Sequence, residues 1–133
     1  MGQARLLRIS LAGNAVFSAI SGAVMLFAPD AVSETLGWTG PDLWPLIGAG
    51  LWIFAADLLW QARRSRPVVW RAFVTILGDG CWVLATIALA FAFPSLMNAT
   101  GWGLAIAVAV VVALFGLLQL GGLDRLQRAD AVV

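Results

Sequence analysis

Residues 46–64 read LIGAGLWIFAADLLWQARR: an apolar run broken only by Asp57 and Gln61, closed by Arg63 and Arg64. It is apolar on every face, so it does not have the one-sided pattern of a helix lying on a soluble core. Extended back to Asp42 it has the length of about 20 residues that crosses the hydrocarbon layer of a bilayer. A carboxylate at that depth costs about 2.5–3.5 kcal/mol on insertion scales, and such residues face a bundle interior. This one stretch therefore predicts both a membrane helix and an ionisable group held inside a bundle.

The rest of the chain repeats the pattern. Of 133 residues 62% are hydrophobic and 11% charged, where soluble domains carry about 25% charge. The expectation is a single all-α domain over residues 1–133 with spans at about 6–28, 42–62, 67–93 and 101–120. Pro29 stops the first span, Pro45 and Pro67 fit first turns, and Gly121-Gly122 should release the last span into a polar tail.

Lysine and histidine are absent, so every basic residue is arginine. The arginines fall in three groups: Arg5 and Arg8; Arg63, Arg64, Arg66 and Arg71; Arg125 and Arg128. The segments around residues 29–42 and 93–100 carry none. Positive residues are retained on the cytoplasmic side, which predicts a four-helix bundle, N-in and C-in, in a bacterial inner membrane. The outer segment PDAVSETLGW (29–38) predicts a short periplasmic interfacial helix, opened by Pro29 and closed by Gly37. Trp38, Trp44 and Trp102 should mark the outer interface, and Trp60 and Trp70 the inner one.

Each span carries one strongly polar side chain: Asn14, Asp57, Asp79 and Gln119. Asn14, Asp57 and Gln119 are each six residues from an arginine (Arg8, Arg63, Arg125), and Asp79 is eight from Arg71. At 1.5 Å per residue all four lie about 9–12 Å from the arginine level, which predicts one polar layer in the bundle core. Ser10, Asn14, Ser18 and Ser21 share a helical face, as do Thr75, Asp79, Trp82 and Thr86. These stripes should face each other, because lipid offers polar groups no partners. A short repeat relates Gly13-Asn14-Ala15-Val16-Phe17 to Gly78-Asp79-Gly80-Cys81-Trp82, and Phe54 to Phe115. Two like-oriented hairpins about an axis along the membrane normal would follow.

Two roles fit the layer. In a structural role its hydrogen bonds organise the bundle. In a binding role Asp57 and Asp79 are a ligand or proton site, with Asn14 and Gln119 as supports and Trp82 as a wall. A carboxyl that keeps its proton there can donate a hydrogen bond, release the proton to a cation or couple binding to a gradient. Other chemistries lack their residues. Without histidine there is no ordinary zinc or haem site and no Ser-His-Asp or Cys-His arrangement. No phosphate-binding glycine loop occurs, and the lone Cys81 has no partner for redox chemistry. No metal, cofactor or nucleic acid is expected, and an enzyme would have only the two aspartates to work with.

The pattern RISLAGNAVFSAISGAVMLFAPD (8–30), an outer segment ending LGW, and LIGAGLWIFAADLLWQARR resembles small bacterial four-helix membrane proteins of the DoxX-like type. That resemblance implies a four-helix bundle and, for some relatives, an accessory role beside respiratory membrane enzymes. It assigns no catalytic residue and leaves Asp57 and Asp79 unexplained. The reading is a non-enzymatic integral membrane protein that binds a protein partner or a small apolar ligand, alone, as a homo-oligomer or in a larger membrane complex. The alternative is a small proton-coupled transporter or channel, for an apolar or cationic ligand, that uses Asp57 and Asp79.

Overall fold

The first span forms a helix because nothing in it breaks one: α1 runs over Arg5–Phe27 and ends where Pro29 follows. The structure is a computed structural model and describes Gly2 and residues 4–133. Pro29 opens the short helix α2, Pro29–Leu36, and Gly37 closes it in the left-handed conformation at φ 61°. The Trp38 amide then donates to the Ser33 carbonyl, satisfying the last turn. The remaining long helices are α3 (Trp44–Arg63), α4 (Val69–Ala92) and α5 (Ala99–Ala131), with one 3-10 turn at Pro94–Leu96. Among the described residues there is no strand. α1, α3, α4 and α5 are each long and apolar enough to cross a membrane.

The four long helices alternate in direction. At one end Arg8 of α1 donates from Nε to the Ala62 carbonyl of α3 at 2.9 Å. At the other, Asn98 before α5 donates its amide to the Leu36 carbonyl of α2 at 2.9 Å. These are called the arginine end and the α2 end. The Asn98 side chain also caps α5, accepting from the Gly101 amide at 2.7 Å.

Small residues set which helices touch. α1 and α3 pack most extensively, α5 lies against both α1 and α4, α3 and α4 make the thinnest contact between neighbouring helices, and the diagonal pairs α1–α4 and α3–α5 do not approach through their backbones. A Cβ on Gly48 would stand 2.7 Å from the Gly22 carbonyl oxygen, so the two backbones meet directly. Phe115 rests on Gly13, with a ring carbon 3.0 Å from where a Cβ would be, and Phe54 rests on Gly78 at 3.8 Å. The residues paired by the sequence repeat thus make matching contacts, α5 on α1 and α3 on α4. Gly50 and Gly80 face open space instead and close nothing.

One boundary departs from expectation. α5 does not stop at Gly121-Gly122 but continues to Ala131, 33 residues in all. That is about 50 Å of helix, against a hydrocarbon layer of about 30 Å. Gly122 is there for packing, since a Cβ on it would stand 2.7 Å from the Leu7 amide nitrogen, whereas Gly121 faces open space. Beyond it Leu123 and Leu126 are buried with Leu7, Leu11 and Leu58 in the core cluster of the arginine end. The charged residues stay outside, where Arg128 pairs with Asp124 one turn away and Arg66 pairs with Asp130. The supposed polar tail is therefore an amphipathic end of the last helix. α3 also starts at Trp44 rather than Asp42, and α4 at Val69 rather than Pro67.

Trp38, Trp44 and Trp102 sit near the α2 end and Trp60 and Trp70 near the arginine end, while Trp52 and Trp82 lie mid-helix. Trp38 and Trp44 meet edge to face at 5.0 Å, but Trp44 is buried, with its indole N–H donating to Ser33 Oγ at 2.8 Å. At the arginine end Arg64 and Arg71 stack on Trp60, 3.8 and 4.4 Å from the ring centroid. Cys81 is exposed on the apolar outer surface of α4.

Candidate functional site: a cleft ending on Asn14 and Asp79

Asn14 and Asp79 occupy matching positions of the repeat and meet between α1 and α4. Asn14 Nδ2 donates to Asp79 Oδ2 at 2.9 Å, and Asn14 Oδ1 accepts from Ser18 Oγ at 3.3 Å. Both residues are buried, Asn14 at 1% and Asp79 at 4% exposure. The Asp79 Cβ lies 3.7 Å from where a Cβ on Gly116 would stand, so Gly116 of α5 faces the carboxyl-bearing turn at an ordinary contact distance.

A cavity of about 220 Å³ opens beside this pair and extends towards the α2 end. All four long helices line it. α1 contributes Asn14, Phe17, Ser18, Ser21 and Met25, α3 contributes Leu51 and Phe54, α4 contributes Gly78, Asp79 and Trp82, and α5 contributes Val108 and Val112. Most of this wall is hydrocarbon and aromatic ring, and its polar groups are those of α1 together with the Asp79 carboxyl. The cleft lies on the side of α3 and α4, which make the thinnest contact between neighbouring helices, and Phe54 over Gly78 is a looser contact than Phe115 over Gly13. Trp82 lines the cleft beside Asp79.

Asp57 is elsewhere. Its Oδ1 pairs with Arg71 at 2.5 Å and its Oδ2 accepts from Gln61 Nε2 at 2.7 Å, with about a third of each ion-pair side chain exposed. Its partners on α4, Arg71 and, through Gln61, Thr75, lie two turns and one turn nearer the arginine end than Asp79. The two aspartates thus have separate partners and do not form one pair. Counting from arginine positions put them at one depth, but it ignored the reach of the Arg71 guanidinium, which draws Asp57 towards the end of the bundle.

Gln119 is completely buried on α5, and neither its Nε2 nor its Oε1 has a hydrogen-bond partner. It does not line the cleft. Gln61, which the sequence placed only on the face of Asp57, is equally buried, and its Oε1 also lacks a partner. The single layer predicted from sequence is therefore three groups: Asn14–Asp79 at the cleft, Gln61 and Gln119 beneath it, and Asp57–Arg71 at the arginine end. No cluster of three His, Cys, Asp or Glu side chains able to hold a metal ion converges among the described residues.

Compared with known protein families, with characterised proteins and with solved structures, the chain matches none.

Proposed function

We propose that this protein is a non-enzymatic integral membrane protein of the bacterial inner membrane that binds a small, mainly apolar ligand in the cleft between α3 and α4. One observation carries the reading: a cavity of about 220 Å³ with hydrocarbon and aromatic walls ends on the buried Asn14–Asp79 pair. Apolar walls with a few convergent polar groups are the ordinary make-up of a ligand site. The volume is below the roughly 300–1,000 Å³ of drug-sized sites, so it suits a compact molecule or the head of a longer membrane-soluble one. Asp79 and Asn14 together offer that head a carboxyl and an amide, which select an amine or a hydroxyl over a bare hydrocarbon. The arginine placement supports an N-in, C-in orientation with α2 on the periplasmic side.

Native mass spectrometry of the protein taken gently from its own membranes tests this. A reproducible small added mass is expected, lost in Trp82→Ala and in Asp79→Asn and kept in Asp57→Asn. A bare protein mass with all three variants alike rejects the cleft. A large complex with other proteins would favour the accessory role that the DoxX-like resemblance implies.

Proton-coupled transport is the second reading, and the observation in its favour is that Asp79 is a carboxyl buried beside the cleft. In it Asp79 acts alone, because Asp57 is committed to Arg71. Flux of a cationic substrate through vesicles that persists in Asp79→Asn would reject it.

A further inference from the structure

Beneath the cleft each long helix contributes one buried polar side chain at nearly one level. Ser10 is one turn from Asn14 on α1, and Thr75 is one turn from Asp79 on α4, both on the arginine side. Gln61 on α3 precedes Ala62, whose carbonyl accepts from Arg8. Gln119 on α5 lies between Gly116, which faces Asp79, and Gly122, which faces Leu7. Gln61 and Gln119 are both 0% exposed, so their amides point into the bundle.

Their hydrogen bonding is incomplete. Gln61 Nε2 reaches Asp57 at 2.7 Å and Thr75 Oγ1 at 3.4 Å, while its Oε1 is unpaired. Both ends of the Gln119 amide are unpaired. Ser10 and Thr75 donate to the Leu7 and Arg71 carbonyls of their own helices; the Ser10 oxygen is free to accept, and the Thr75 oxygen keeps one lone pair beyond the long contact from Gln61. A buried amide with no partner costs about 1–3 kcal/mol, and native proteins meet such groups with internal water held by two to four polar partners. Three unpaired atoms on two fully buried amides, with two hydroxyls at the same level, provide those partners.

We propose that Ser10, Gln61, Thr75 and Gln119 bind internal water, and that this water links the Asp79 carboxyl to the Asp57–Arg71 pair and so to the solvent at the arginine end. The cleft carboxyl then exchanges protons with one side of the membrane only. Towards the α2 end the cleft beyond Ser21 is walled by Met25, Leu51 and Val108, which relay nothing. The charged groups along the path are Asp57 on α3, Arg71 on α4 and Arg8 on α1, and α5 presents none before Asp124. The exchange is balanced: an O–H bond forms on Asp79 as one breaks on the adjacent water, which recovers a proton from the arginine-end solvent. One proton moves and nothing is oxidised. The proposal stands whether or not the cleft holds the ligand proposed above.

The test uses the full chain in sealed lipid vesicles, with pH set separately on the two sides. Dicyclohexylcarbodiimide, a membrane-soluble reagent for protonated carboxyls, is the probe, and labelled peptides are mapped by mass. Tryptic accessibility of Arg63 and Arg64 identifies the molecules whose arginine end faces outward. Labelling of Asp79 is expected to follow the pH of the arginine side and to ignore that of the α2 side. In the Gln61→Leu/Gln119→Leu double variant this dependence should be lost, and the similar volume of leucine favours survival of the fold. Labelling that follows the α2 side, or both sides equally, or that is unchanged in the variant, overturns the proposal. Hydroxyl-radical footprinting in nanodiscs decides independently of the label. Leu11 and Leu58, buried in the core cluster, should be oxidised by radicals born on internal water, and should fall to background in Gln119→Met. Wild-type protein with both leucines unmodified also overturns it.

Discussion

Gly22 of α1 and Gly48 of α3 face each other with no side chain between them, each carbonyl oxygen within 3 Å of the point where the other's Cβ would stand. This contact draws α1 and α3 into the most extensive helix pair of the bundle. Gly48→Val should destabilise the fold by about 1–3 kcal/mol, the usual cost of overpacking. Gly50→Val, two residues away and facing open space, should change it little. Unfolding in mixed detergent micelles measures both, and equal effects would refute the contact.

The Asn14–Asp79 hydrogen bond joins the two hairpins. A double-mutant cycle on Asn14→Ala and Asp79→Ala should give a coupling of about 0.6–1.7 kcal/mol, as for other hydrogen bonds between membrane helices. A coupling indistinguishable from zero would mean that the two side chains do not meet.

Asp57 and Arg71 are expected to behave as an ordinary end-of-bundle ion pair. With about a third of each side chain exposed, their coupling should be about 0.2–1 kcal/mol and should shrink as salt is added. Coupling that is insensitive to salt would place the pair deeper than it stands here.

The end of α5 offers a sharper contrast. As a helix packed on Leu7 and Leu11, residues 122–128 should have protected amides in hydrogen exchange, and Leu126→Ala should cost about 2–5 kcal/mol. As a free tail they would exchange at once, and the substitution would be silent.

That last contrast marks where sequence reading stops. The four long apolar helices were legible because length and apolarity are local properties, and the arginine groups mark turns between them. The short helix α2 was legible from Pro29 and Gly37, whose backbone preferences are local too. Gly122 misled because a glycine that ends a helix and a glycine that admits a neighbouring backbone look alike in sequence; only the presence of Leu7 tells them apart. Asp57 and Asp79 looked equivalent because each stands in an apolar run, and their separation depends on how far Arg71 reaches across from the next helix. The repeat correctly related Gly13 to Gly78 and Phe115 to Phe54. The cleft was not legible at all, since it depends on how side chains from four separate helices come together.

The thin contact between α3 and α4 has a mechanical consequence. With α3 fastened to α1 and α4 fastened to α5, the two hairpins resemble the covers of a book whose spine is the α1–α5 contact. Turning the covers about that spine alters the gap between Phe54 and Gly78 while leaving Gly22 on Gly48 and Phe115 on Gly13 undisturbed. The molecule therefore has a soft direction across its helix axes, along which a sideways load on the bundle is taken up first.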